Sequence, residues 1–254
     1  MGKTGIVQLD QVSVTYGNQI TAVNAVSLTL HQGEFVVVLG ASGAGKSTLL
    51  RVINYLQPPT RGQIKAQGLG DLAQPAVLRR HRQQTGMIFQ NHQLIERRST
   101  LDNVLIGRLA YHSFWRSLWP LPRQDQAIAL HCLERVNLID KALTPVQNLS
   151  GGQRQRVGIA RALAQQPRLM LADEPIASLD PASAHRVMSL LRDIGKADRM
   201  TMLLSLHQVE FAREYSDRII GLDHGQIMFD GPPGRLQHHH LQAIYAGHSL
   251  ATVG

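Results

Sequence analysis

Cysteine is nearly absent. The 254 residues contain one, Cys132, so no internal disulfide can form, and the chain reads as one made for a reducing compartment. Cys132 lies in AIALHCLERV, whose helical periodicity makes it a small core residue rather than a nucleophile. Long apolar runs are also missing. The longest is Phe35 to Leu39, far short of the roughly 18 residues that span a bilayer. The chain is therefore not expected to cross a membrane by itself. Its opening, MGKTGIVQLD, lacks the apolar core of a secretion signal, and Ile6 stands where a myristoylation pattern requires Ser or Thr, so a cytoplasmic protein is expected. Internal repeats, low-complexity linkers and sustained heptads are not found. Acid is the scarcer charge: 18 Asp and Glu against 26 Lys and Arg leave +8. That excess suits nucleic acid, an anionic membrane surface or phosphorylated ligands alike, and with no run of five basic residues it does not choose among them. The triplet His238 to His240 occupies adjacent positions, which do not share a helix face, and is not expected to hold a metal.

What remains is a globular chain, 43% hydrophobic and long enough for one to two domains with a sizeable core. Val12, Val14 and Tyr16, then Val26, Leu28 and Leu30, alternate with polar neighbours and predict half-buried antiparallel strands. Phe35 to Leu39 is a continuous β-branched run, the pattern of a parallel strand covered on both faces. Leu169 to Ala172 and Met200 to Leu206 read as two more central strands, the first ending at Asp173-Glu174-Pro175 and the second at His207. Open α/β sheets bind ligands beyond the carboxyl ends of their strands, so three such endings point to one shared site. Between them, Gln90 to Thr144 is a long insertion with helical patterning over Gln126 to Asn137 and a break at Pro120-Leu121-Pro122. The chain is thus expected to be an α/β protein with an N-terminal antiparallel β subdomain and an inserted helical subdomain.

Gly40-Ala41-Ser42-Gly43-Ala44-Gly45-Lys46-Ser47 satisfies G-x-x-x-x-G-K-[ST] between a strand and a helix, the context a P-loop requires. Glycines let consecutive backbone N–H groups curl inward toward phosphate oxygens, and the helix that follows adds its positive end. Lys46 supplies a cation for the β- and γ-phosphates, and the Ser47 hydroxyl is placed for Mg²⁺. Asp173 offers the acidic partner for that metal, and Glu174 is the candidate that orients an attacking water. Adjacent carboxylates point opposite ways on an extended strand, so the two suit different tasks.

A second anion-grade feature lies in Leu149-Ser150-Gly151-Gly152-Gln153. Ser150 is placed to cap a helix and Gln153 to complete a capping box, leaving a glycine-flanked helix start. With GASGAGKST, LSGGQ and LMLADEP in this order, the sequence resembles the ATP-binding-cassette ATPases over nearly its whole length. The resemblance implies a P-loop NTPase with a mixed central sheet, ATP and Mg²⁺ as ligands, and two copies closing head to tail. Ser150, Gly151, Gly152 and Gln153 of one copy would then meet the γ-phosphate held by Gly40 to Thr48 of the other. It implies a metal- and water-sensing role for Gln90, adenine stacking for Tyr16, a dimer-facing loop at Ser178-Leu179-Asp180 and a γ-phosphate switch at His207. For each, a plainer structural duty stays open: strand capping for Gln90, packing for Tyr16 and His207, helix capping for Asp180. The implied layout is one cassette over 1–254, with a nucleotide-binding core near 1–89 and 165–234, a helical subdomain near 90–164 and a tail near 235–254.

More narrowly, NVLIGRLAYHSFWRSLWPLP, ADEPIASLDP and SLHQVEFAREYSDRIIGLDHGQIMFDGPP resemble the ATPase subunits of phosphonate importers, whose relatives handle phosphite or hypophosphite. That implies transmembrane permease subunits, an external substrate-binding component, and residence on the cytoplasmic face of the inner membrane, with no nucleic acid as partner. A nucleic-acid-associated ATPase of the same superfamily is the rival; such relatives usually carry tandem cassettes, a long coiled coil or zinc-binding cysteines. Trp115 and Trp119, spaced i, i+4, fit either a permease-docking surface or packing inside the insertion. Asn91-His92 departs from the apolar or aromatic residue usual after the glutamine.

Overall fold

The computed structural model describes residues 4–17, 19–90, 93–112 and 121–245. Trp115, Trp119, Pro120 and the Asn91-His92 pair lie outside these residues. In chain order the strands are β1 Gly5–Tyr16, β2 Ile20–His31, β3 Phe35–Leu39, β4 Arg61–Ala66, β5 Gly70–Asp71, β6 Thr85–Ile88, β7 Leu169–Asp173, β8 Thr201–Leu206, β9 Arg218–Asp223 and β10 Gln226–Gly231. The α-helices are α1 Lys46–Ile53, α2 Pro75–Gln83, α3 Thr100–Leu105, α4 Arg123–Arg135, α5 Gly151–Ala164, α6 Pro181–Asp198, α7 Val209–Tyr215 and α8 His238–Ile244.

The alternating N-terminal pattern becomes a four-stranded antiparallel sheet in the order β2-β1-β4-β5. The continuous apolar runs become the centre of a six-stranded sheet, β10-β9-β3-β8-β7-β6, parallel except for the β9–β10 hairpin at its edge. Every residue of β3, β7 and β8 is buried. The period-two geometry of a strand explains why such runs carry no polar alternation. Val36 and Val38 of β3 enter a core with α1 and the antiparallel sheet. Phe35, Val37 and Leu39 enter a second core on the opposite face, built with α3, α4, α5, α6 and α7. Each fully buried Val or Leu contributes about 1.5–3 kcal/mol, so the central strands are held from two sides and their carboxyl ends make a fixed platform.

Helices α3, α4 and α5 pack on one another as the inserted helical layer. α4 starts a turn before the Gln126 expected from periodicity, because Pro122 sits at its N-cap position, where a missing N–H costs nothing. Asp125 of α4 is buried and bonded by Arg108 Nε at 2.8 Å and His112 Nε2 at 2.6 Å. Burial pushes its pKa up, but those bonds outweigh burial and hold the carboxyl below its ordinary range. The bonds tie residues 108–112 to the start of α4.

Cys132 of α4 is buried in the helical-side core, and burial pushes its thiol up to about 11. At pH 8 the thiolate fraction should then be about a hundredfold lower than for a free thiol near 9. Native protein should accordingly react with a thiol-specific disulfide reagent at least about a hundredfold more slowly than denatured protein; equal rates would contradict the assignment as an inert core residue.

Candidate active site

The residues from Gly40 to Ser47 form a curl between β3 and α1 whose conformation only glycine allows at two points. Gly43 and Gly45 have φ of 82° and 103°, in the left-handed region that side chains rarely enter. A Cβ on Gly45 would also lie 2.1 Å from the Ala22 carbonyl oxygen. Gly45 caps α1 without any side-chain acceptor, which leaves the first-turn N–H groups facing the curl. The curl is clamped from behind by Gly225 N donating to Ala44 O and Asn24 N donating to Gly225 O, each at 2.9 Å.

Lys46 is the buried cation of this curl, 4% exposed. Its Nζ donates to Gly40 O at 2.8 Å and Ala41 O at 3.0 Å, and lies 3.3 Å from His207 Nδ1. Burial lowers its pKa to about 8, with Glu174 and Asp173 pulling the other way. His207 Nε2 is 2.6 Å from Glu174 Oε1, and Gln90 Nε2 donates to Glu174 Oε2 at 2.8 Å. An ammonium can only donate, so Nδ1 accepts from Lys46 and the proton of His207 sits on Nε2, facing Glu174. Lys46, His207, Glu174 and Gln90 thus form one polar chain across the ends of β3, β8, β7 and β6, as the three strand endings foretold.

Asp173 takes a different set of partners. Its Oδ1 accepts from Ser47 Oγ and from Ser205 Oγ, both at 2.8 Å. The two carboxylates are separated, as expected, but not by strand alternation. Strand β7 ends at Asp173, and Glu174 turns into the left-handed region with φ 48°. Such a conformation costs about 1–3 kcal/mol and persists only where surroundings enforce it; here Ser205 Oγ accepts from Glu174 N at 2.9 Å. Ser205, fully buried, bridges both acids and was missed in the sequence. The only signal was a serine inside the apolar run MLLSL, two residues before His207.

Ser47 Oγ and the Asp173 carboxylate, hydrogen-bonded to each other beside the curl, are hard oxygen donors that fit Mg²⁺, and Gln90, bonded to the neighbouring Glu174, carries an amide oxygen of the same kind. Among the described residues no group of three or more His, Cys, Asp or Glu could hold a metal. One carboxylate with neutral oxygens beside it suits Mg²⁺, which is usually held through one or two carboxylates and completes its shell from phosphates and water. Tyr16, 38% exposed at the end of β1, places its hydroxyl 3.4 Å from Thr48 Oγ1, so the aromatic does reach the start of α1.

The Ser150 helix start is built as its spacing foretells. Gln153 N donates to Ser150 Oγ at 3.3 Å and Ser150 N to Gln153 Oε1 at 2.9 Å, a complete capping box. A Cβ on Gly151 or Gly152 would meet nothing within 4 Å, so the space beside this helix start is open. This end of α5 shares an open groove with Ser178, Leu179 and Asp180, to which no residue of the Gly40–Thr48 curl contributes. Asp180 caps α6, accepting from Ser183 N at 3.0 Å, so the plainer duty left open for it is real. The Ser150 and P-loop sites are thus built in separate parts of the chain.

Residues 23–177 match the family model described as ABC transporter. The chain is 60% identical over 240 residues to the phosphonates import ATP-binding protein PhnC 1 of Trichodesmium erythraeum, covering 94% of this chain and 95% of that protein. It is 57% identical over 244 residues to the phosphite import ATP-binding protein PxtA of Stutzerimonas stutzeri, covering 96% and 88%. A solved dimeric ATP-binding cassette in a post-hydrolysis state, bound to ADP and Pi, superposes with a TM-score of 0.79 at 33% identity, covering 90% of this chain and 99% of that one.

Proposed function

The chain belongs to the ABC transporter family, and from that footing we propose that it is the ATP-hydrolysing subunit of an importer for phosphonate or the related phosphite and hypophosphite. The observation that carries the catalytic part is the convergence beside the P-loop of two hydrogen-bonded sets, Lys46, His207, Glu174 and Gln90 in one and Ser47 with Asp173 in the other, joined through Ser205. The substrate class rests on relatives at 60% and 57% identity that import phosphonates and phosphite.

In the proposed reaction Gly40 to Thr48 cradle the triphosphate and Tyr16 stacks on adenine. Lys46 leaves its carbonyl partners for the β- and γ-phosphates, whose negative charge favours its protonated form. Glu174 orients a water whose oxygen bonds to the γ-phosphorus as the bond to the β–γ bridging oxygen breaks, releasing ADP and inorganic phosphate. His207 follows the γ-phosphate from its place between Lys46 and Glu174. Mg²⁺, held by Ser47, Asp173 and Gln90, would neutralise charge on the phosphate oxygens when bound.

The transition state also needs donors aimed at charge dispersed over the γ-phosphate. Ser150, Gly151, Gly152 and Gln153 supply them from a second copy, with Asp180 at the facing loop. The separate construction of the two half-sites favours this head-to-tail pairing. The proposed layout keeps one cassette, with the core near 1–89 and 165–234, the helical part near 90–164 and the tail after it. Closure would move permease subunits at the cytoplasmic face of the inner membrane, fed by a substrate-binding protein. No helix among the described residues is long and apolar enough to cross a membrane, so passage is assigned to those other chains. Cells deleted for the gene should lose uptake of labelled phosphonate, phosphite or hypophosphite. Unchanged uptake of all three would discard the substrate assignment and leave the ATPase assignment standing.

A further inference from the structure

The C-terminal segment ends beside the polar chain of the active site. Past the β9–β10 hairpin it takes one 3₁₀ turn at Pro233–Arg235, runs through α8 and brings Tyr245 to the turn between β8 and α7. Three contacts hold this course. Arg213 Nη2 of α7 donates to Leu236 O at 2.9 Å, and Leu236 is buried. His240 sets its ring 4.7 Å from that of Phe229 on β10, while its Nδ1 accepts from Gln237 N at 3.1 Å. Ile244, fully buried, fills space that Gly221 of β9 leaves open, since a Cβ on Gly221 would lie 2.3 Å from Ile244 Cδ1.

Tyr245 follows directly. It is buried, and its Oη donates to the backbone carbonyl oxygen of His207 at 3.0 Å. A carbonyl only accepts, so the phenol carries the proton of this bond. Burial pushes its pKa up to about 12, which keeps the hydroxyl a donor at any working pH. His207 is the first residue past β8, whose ladder with β3 ends at Leu206. Its imidazole reaches Lys46 Nζ at 3.3 Å and Glu174 Oε1 at 2.6 Å together. The side chain is nevertheless 36% exposed, so packing alone does not hold the ring. The sheet fixes the peptide before His207 and Tyr245 the peptide after it, and between them the Cα–Cβ bond keeps one direction. A misplacement of about 1 Å at a reacting group costs up to about 10²-fold in rate.

We propose that Tyr245 is a positioning residue of ATP hydrolysis, whose hydroxyl fixes the backbone of His207 and thereby aims the imidazole at the γ-phosphate. The inference rests on the γ-phosphate role proposed for His207 above. It goes beyond that role by giving the C-terminal segment a part in the chemistry.

The test compares Tyr245→Phe, Arg213→Gln and His207→Ala in the full chain. It reads kcat and KM for ATP, the thermal midpoint, and the imidazole ¹⁵N signals of histidine-labelled protein, where the His207 signals are those lost in His207→Ala. Tyr245→Phe keeps the ring and should stay folded. It should lower kcat about tenfold, leave KM within about twofold and shift the His207 signals. Arg213→Gln removes a bond to the same segment away from Tyr245; it should lower the midpoint by a similar amount and leave kcat unchanged. Wild-type turnover in His207→Ala would show that the role of His207 is wrong, and the inference would fall with it. If His207→Ala loses turnover while Tyr245→Phe keeps the wild-type kcat, the inference alone is overturned. Equal losses of kcat in Tyr245→Phe and Arg213→Gln, or lost turnover with the His207 signals unmoved, would also overturn it by showing a merely structural role.

Discussion

Glu174→Gln is expected to cut steady-state ATP hydrolysis by about 10³-fold, in line with the 10²–10⁴-fold typical of a lost acid–base group. ATP binding should be spared, and an ATP-bound dimer should accumulate. The reasoning starts from shape. Gln fills the same space, and its amide oxygen can still accept from Gln90 or from His207 Nε2–H, both of which contact Glu174 now. The left-handed turn at residue 174 is held by its backbone N–H to Ser205 Oγ, so the backbone has no reason to move. Asp173, with Ser47 and Ser205 as partners, is left intact, and with it the proposed metal position. What disappears is the negative charge that orients a water for attack. The states before chemistry should then fill and the states after it empty. Light scattering with ATP and Mg²⁺ reads the dimer, and phosphate release reads turnover. Turnover near the wild-type rate would remove Glu174 from the reaction; lost turnover with no dimer would place its role earlier than chemistry.

How much of this was legible in the chain depended on whether the chemistry was contiguous. The phosphate curl occupies eight neighbouring positions, and its strand and helix flanks follow one another directly, so residues 40–47 announced their own structure. The capping box at Ser150 and Gln153 is a three-residue relation and was equally open to reading. Relations across strands were not. Ser205 reaches Asp173 and Glu174 only because β7 and β8 pair in parallel with Asp173 opposite Ser205. Nothing local in TMLLSL states that register. The positive φ of Glu174 was hidden for a related reason: before a proline an extended conformation is the default, and only the buried Ser205 hydroxyl overrides it. No strand is expected from the pattern of residues 218–231, because RIIGLD is short and interrupted by Gly221 and QIMFDG is short and ends in Gly231. Their place at the sheet edge comes from pairing with β3 and with each other. The same hairpin supplies Gly225, which clamps the phosphate curl.

Ser150→Arg is expected to reduce turnover to background while ATP still binds the monomer with near-normal affinity. The proposed nucleotide contacts lie in residues 40–48 and at Tyr16, and no residue of that curl shares the groove headed by Ser150. A substitution at the helix start therefore has no short path to the nucleotide of its own copy. It does lose the cap, since Gln153 N now bonds the Ser150 hydroxyl, and such losses cost about 1 kcal/mol. α5 is anchored by Val157, Ile159, Ala160 and Leu163 in the core, so this cost should lower stability without unfolding the helix. A long side chain would then occupy the open space before Gly151 and Gly152, where the proposed phosphate of the other copy must sit. Loss of turnover by Arg alone could still reflect a disturbed helix, so Ser150→Asp separates the two effects. Asp caps helices as well as Ser does, and it leaves the N-terminus stable while setting a carboxylate against the incoming phosphate. It should therefore fold normally, bind ATP as a monomer and fail to hydrolyse it. Normal ATPase activity in either variant would mean that the Ser150 end of α5 never meets the reacting phosphate, and each chain would have to be a complete catalyst alone.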